Sequence, residues 1–131
     1  MDSGFEKQSA EWFKRGDHDI ESAQLLYEEK GYTDVIAYHI QQAIEKYLKG
    51  YLIFHGKKYP KIHELDTLLN LIAQFDNSFD DFIELCEKVT KYYIEERYPP
   101  GPLTIYTYEE IKEDLDNAKN IITKIKEKVE I

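Results

Sequence analysis

Within the run His39-Ile-Gln-Gln-Ala-Ile-Glu-Lys-Tyr-Leu-Lys49, the residues His39, Gln42, Lys46 and Lys49 recur at steps of three and four. At about 100° per residue they share one sector of an α-helix, so an imidazole, an amide and two ammonium groups project side by side along about three turns. A phosphate or a carboxylate is the ligand such donors suit. Downstream, Pro60-Lys-Ile-His63-Glu-Leu65 adds a second imidazole. The competing reading is a wet helix face filled by Gln and Lys, which are ordinary helix formers.

Three further groups bear on the same chemistry. Asp19, in Arg15-Gly-Asp-His-Asp19, accepts hydrogen bonds from lysines of a neighbouring helix if it faces inward, and is otherwise an exposed charge. Arg97 and Tyr98 close the run Tyr92-Tyr-Ile-Glu-Glu-Arg-Tyr98. A guanidinium amid tyrosines can stack or bind a planar anion in bidentate fashion, or it can complement the negative end of its helix. From Lys46 to Lys61 there are five lysines and His55 with no Asp or Glu, a basic island in a chain of net charge −9. Lys57 and Lys58 in that island read as solvated loop residues. The overall charge repels polyanions at long range and argues against non-specific duplex binding.

Other chemistries lack their residues. A di-iron bundle needs Glu-x-x-His pairs, and the positions three before the four histidines are Arg15, Ile36, Leu52 and Pro60. There is no His-Glu-x-x-His, glycine-rich phosphate loop or nucleophile elbow, so no metal and no cofactor is implied. Cys86 is the single cysteine, which excludes an intramolecular disulfide and suits a reducing cytoplasm. The stretch Met1–Glu6 has no basic region followed by an apolar run, and no apolar stretch is long enough for a span, so neither secretion nor a membrane is expected.

The elements that must position these groups are helices, and 131 residues fit one domain, 1–131. A first helix is expected over about Ser9–Lys30, with Trp12, Phe13, Ile20, Ala23, Leu26 and Tyr27 inward, Gly16 weakening it and Gly31 stopping it. A second, capped by Thr33 or Asp34, buries Ile36, Ile40, Ala43, Ile44, Tyr47, Leu48 and Tyr51 and ends near His55, with Gly56 placed for positive φ. A short third helix carries Leu65, Leu68, Leu69 and Ile72. A fourth has Phe79, Phe82, Cys86, Val89 and Tyr93 on one seam, with Cys86 in the core, and breaks at Tyr98-Pro-Pro-Gly-Pro102. The last opens on a Thr107/Glu110 capping box and buries Ile111, Leu115, Ala118, Ile122, Ile125 and Val129. No strand is convincing. The expected fold is all-α: an antiparallel up-and-down bundle of four longer helices plus one short helix.

Trp12, Asp19-Ile20, QQAIEKYLK, Gly56, Pro60-x-x-His63-x-Leu65 and Arg97-Tyr-Pro99, in that order, resemble the prokaryotic, stand-alone HEPN domain family across nearly the whole chain. The resemblance implies a helical bundle, commonly a homodimer, that binds a nucleotide or nucleic acid and often acts with a small nucleotidyltransferase as a toxin–antitoxin pair. One branch of the family consists of metal-independent ribonucleases with an arginine followed after four to six residues by a histidine. Here Arg15 is followed at those places by Ile20, Glu21 and Ser22, and Arg97 by Pro102, Leu103 and Thr104. The expectation is therefore a non-catalytic protein, with no catalytic or metal-ligating residue. Its ligand-binding set is Asp19, His39, Gln42, Lys46, Lys49, His63, Arg97 and Tyr98. Binding or cleavage of RNA stays open. The alternatives are a protein-interaction module with no ligand site, and a ribonuclease that uses His39 or His63 with Arg97 in a nonstandard site.

Overall fold

The computed structural model describes residues 3–97 and 106–131, with side chains for all of these except Ser3 and 93–97. Five α-helices account for the apolar periodicity: α1 (Ser3–Glu28), α2 (Thr33–Phe54), α3 (Leu65–Ala73), α4 (Ile83–Arg97) and α5 (Tyr108–Val129). A 3₁₀ segment, Asn77–Phe82, leads into α4. Among the described residues there is no strand, and the fold is an all-α bundle of four longer helices and one short one.

Helix α2 is the axis of the bundle, because it packs against α1, α3, α4 and α5. Fourteen of its 22 residues are buried, so it has little face left for water. The expected apolar positions of α2, α3 and α5 are all buried, joined by Ile121. Cys86 lies in the core, where burial pushes its thiol up to about 12. Tyr92 is buried and its hydroxyl donates to Asp114 of α5. Tyr93, expected on the α4 seam, has its side chain outside the described residues, as does the whole segment Tyr98–Pro102.

The helix ends follow local chemistry, with four departures from expectation. α1 begins at Ser3, six residues before the expected Ser9, because its first two turns are polar and carry little periodic signal. At its C-terminus Lys30 takes the left-handed conformation (φ 57°) while the Gly31 amide donates to Leu26 O at 2.7 Å, so the stop is at Lys30 and not at Gly31. α2 starts at Thr33 itself, with Tyr32 before it and no side-chain cap. The fourth helix begins as a 3₁₀ turn because the Asp76 carboxylate accepts from the Ser78 amide at 3.0 Å and tightens the entry. Gly56 has φ +69°, and Thr107 and Glu110 form the reciprocal capping box.

Gly16 and Gly50 set the distance between α1 and α2. A Cβ on Gly16 would lie 2.6 Å from the Tyr47 ring, and one on Gly50 2.6 Å from the Phe13 ring. Those two rings stack on each other with centroids 5.0 Å apart, so neither can retreat freely. Gly16 is thus a packing requirement of the seam, and the weakening expected of a mid-helix glycine is secondary to it.

The sign of one substitution tests this. On an exposed helix Gly→Ala gains about 1 kcal/mol from propensity, whereas overpacking a tight contact costs about 1–3 kcal/mol. Gly50→Ala is expected to lower the urea unfolding midpoint, and a raised midpoint would show that the close approach does not exist.

Candidate functional site

The close α1–α2 seam brings Asp19 of α1 under the polar residues of α2. Its carboxylate accepts from His39 Nδ1 at 2.9 Å through Oδ1 and from Lys46 Nζ through Oδ2. A carboxylate only accepts, so the shared proton of the first bond belongs to Nδ1, which orients the imidazole with Nε2 directed away from Asp19. Burial by itself opposes ionisation of Asp19, but the hydrogen bonds from His39 and Lys46 together outweigh it and hold the carboxyl below its ordinary value. Removing either partner from such a pair typically costs about 3–5 kcal/mol where the charge is fully buried.

A second carboxylate, Glu45, repeats the arrangement one helical line away. His63 Nδ1 lies 3.0 and 3.1 Å from its two oxygens, Lys49 Nζ donates to it at 2.9 Å, and Gln41 Nε2 donates to it at 3.0 Å. Gln41 also donates to the His63 carbonyl at 3.1 Å, which ties the loop before α3 to α2. Gln42 Nε2 donates to Gln41 Oε1 at 2.7 Å and so joins the Glu45 group. No buried side-chain nitrogen or oxygen among the described residues lacks a partner.

Six of the eight expected site residues therefore meet along α2, although not as one wet stripe. His39 and Lys46 are 28% and 24% exposed at their side chains and His63 is 43% exposed, whereas Lys49 is 5% exposed. The Lys49 ammonium is turned inward between Glu45 and the rings of Trp12 and Tyr59, 5.8 and 5.4 Å from their centroids. The cause is that α2 has neighbours on most of its circumference. Arg97 ends α4 with its side chain outside the described residues, and Tyr98 lies outside them altogether. Gln41 and Glu45, which brace the second imidazole, were missed by the sequence reading. Their spacing with Lys49 at i, i+4 and i+8 was the available signal.

The described residues contain no group of three His, Cys, Asp or Glu placed to hold a metal ion, and no helix long and apolar enough to cross a membrane.

The Asp19 pairing has a pH signature. Its folded value lies below 3.8, so the stability it contributes is complete above 3.8 and is lost as the pH falls through the folded value. Urea unfolding at pH 7 and pH 3 is expected to show wild type losing more stability than Asp19→Asn over that interval. Equal losses would mean that Asp19 is not held as an ion.

Comparison with known proteins agrees with this architecture. The sequence profile of the HEPN domain matches residues 9–128. The chain is 31% identical to "Putative toxin MJ1304" of Methanocaldococcus jannaschii over 140 aligned positions, covering 96% of this chain and 91% of that protein. Among solved structures it is similar to TT1696 from Thermus thermophilus, with a TM-score of 0.75 and 29% identity, covering 92% of this chain and 98% of the other. It is equally similar in TM-score, 0.75, to ST0689, described as an archaeal HEPN homologue, at 25% identity and with 92% and 97% covered. This chain belongs to the HEPN domain family.

Proposed function

We propose that this protein is a non-catalytic HEPN module that binds a nucleotide or another phosphorylated ligand at the outer edge of the α2 network. We further propose that it acts as a homodimer with a small nucleotidyltransferase in a toxin–antitoxin-like pair. The observation that carries the ligand reading is the pair of imidazoles, His39 and His63, each held at Nδ1 by a carboxylate behind it. A carboxylate in that position fixes the orientation and tautomer of the ring, much as a carboxylate behind a metal-ligating histidine orients that ring. Lys46 adds an ammonium with three N–H donors, one of them spent on Asp19. Gln42 supplies an amide beside them, while Lys49 serves from beneath by balancing Glu45. Arg97 and Tyr98 remain in the proposed set on their sequence pattern.

The partner reading rests on family membership and on the toxin name of the M. jannaschii relative. The ribonuclease alternative is the weaker reading, because its Arg-to-His spacing is missing. Localisation in the cytoplasm is proposed on the same grounds as the partner.

Calorimetric titration with ATP, AMP and inorganic phosphate tests the ligand site. The variant of choice is His39→Ala/His63→Ala, since Asp19 keeps Lys46 and Glu45 keeps Lys49, so no carboxylate is stranded. Affinity is expected to drop by about tenfold or more, the loss of two charge-assisted hydrogen bonds. Wild-type affinity in this variant would place the site elsewhere. Native mass spectrometry of gently purified material reads the partner, and a monomer without companion would sink that part of the reading.

A further inference from the structure

The N-terminal half of α1 and the turn after α2 enclose an open cleft of about 610 Å³. Its wall is largely apolar: Phe5, Trp12 and Tyr59 line it together with Ile53, and Trp12 meets Tyr59 edge to face at 5.4 Å. Three cations, Arg15, Lys57 and Lys58, line the same cleft against one acid, Glu11, a local reversal of charge in a chain of net −9. Arg15 and Lys58 are exposed and, among the described residues, form no ion pair with a carboxylate, although Glu11 lies one turn before Arg15 on the same helix. Lys57 is partly engaged with the Phe75 ring at 5.6 Å. The fold assembles the cleft because Gly56, at φ +69° beside the Phe5 ring, turns the chain so that the basic loop lies back along α1.

We propose that this cleft binds a small aromatic carboxylic acid, its ring against Phe5 and Trp12 and its carboxylate on Arg15 with support from Lys58. A guanidinium fork matches a carboxylate in bidentate fashion, which a single ammonium does not. Trp12 and Arg15 stand three residues apart on α1 and so share one face of the helix, with Cβ atoms about 5–6 Å apart. The ring and the carboxylate of the ligand therefore need only a short spacer between them. The volume falls in the range of small-molecule sites, which are mostly apolar with a few placed polar groups, as this cleft is. Two other classes of occupant fit less well. Gln8 is the one amide in the lining and no Ser, Thr or Asn joins it, so the base edge and ribose of a nucleotide find few partners there. A folded protein partner needs about 800 Å² on each side. The cleft runs from Phe5 to Arg15, ten helical residues or about 15 Å, which is the scale of a small molecule. The proposal is independent of the His39/His63 site, with which it shares no lining residue.

Trp12 is the single tryptophan, so its fluorescence reports from the cleft itself. Titration of the full chain with phenylpropionate is expected to move the emission to shorter wavelength as the ligand ring displaces water. Phenylpropanol keeps the shape without the charge and acetate keeps the charge without the ring. Each is expected to bind at least about tenfold more weakly, since it forgoes one half of the recognition. In Arg15→Ala/Lys58→Ala, both sites being exposed, affinity for phenylpropionate is expected to fall about tenfold while that for phenylpropanol is unchanged, which also shows the variant to be folded. Phe5→Leu weakens the acid and the alcohol alike. His39→Ala/His63→Ala keeps the emission shift, so failure at either site leaves the other standing. UMP and the peptide Gly-Gly-Phe, which ends in the same ring and carboxylate, are expected to bind more weakly than phenylpropionate. The proposal is overturned by an absent shift, by wild-type affinity for the acid in Arg15→Ala/Lys58→Ala, by phenylpropanol binding as tightly as the acid, or by tighter binding of UMP or Gly-Gly-Phe.

Discussion

Two helices can approach closely only where side chains make room, and in this protein Gly16 and Gly50 make that room for the stacked rings of Tyr47 and Phe13. The consequence reaches well beyond the apolar contact. With α1 drawn against α2, Asp19 comes within hydrogen-bonding reach of His39 and Lys46, and Asp17 accepts from the Tyr47 hydroxyl. Burial, that hydrogen bond and the negative charge of Asp17 all push the Tyr47 phenol upward, so it stays neutral at ordinary pH. A wider spacing would let water in and weaken each of these interactions, since their strength depends on a low local dielectric.

The polar interior is built from carboxylates that each hold more than one donor. Asp19 has His39 and Lys46, Glu45 has His63, Lys49 and Gln41, and Asp114 has Lys88 and Tyr92. Asp76 does the same near the other end of α2, where burial is outweighed by bonds from Ser78, Tyr51 and Lys128 that hold its carboxyl well below the usual range. Buried ion pairs add little net stability, because desolvation offsets attraction, but a mispaired one is costly. Their effect is to fix register: α2 cannot rotate or slide without stranding a charge. This also bounds what a ligand can gain from Lys46, whose charge already faces Asp19. In the proposed site an anion would draw on the imidazoles more than on the lysines, which are already paired with carboxylates.

The sequence disclosed what is decided locally. The Thr107/Glu110 box, the positive φ of Gly56 and the apolar positions of α3 and α5 depend on residues within a turn or two of one another, and they were legible. The fate of Lys49 was not. A helical wheel gives its azimuth correctly, yet azimuth decides burial only when a helix has one covered side, and α2 is covered by four other helices. The same limit hid the cleft. Phe5 lies before the expected start of α1, and Lys57 and Lys58 read as solvated, since nothing local says that the turn at Gly56 folds them back onto Trp12 and Arg15.

Lys49 is where the two polar regions meet. Its ammonium is 2.9 Å from Glu45, which orients His63, and it also lies over the rings of Trp12 and Tyr59 that border the cleft. A cation placed between a buried carboxylate and aromatic faces is stabilised from both directions, and the aromatic term grows as water is excluded. Lys49 therefore ties the rings that border the cleft to Glu45, the group that holds the second imidazole. The lysine that sequence placed on a wet stripe is, in the folded chain, the physical joint between the α2 network and the cleft beside it.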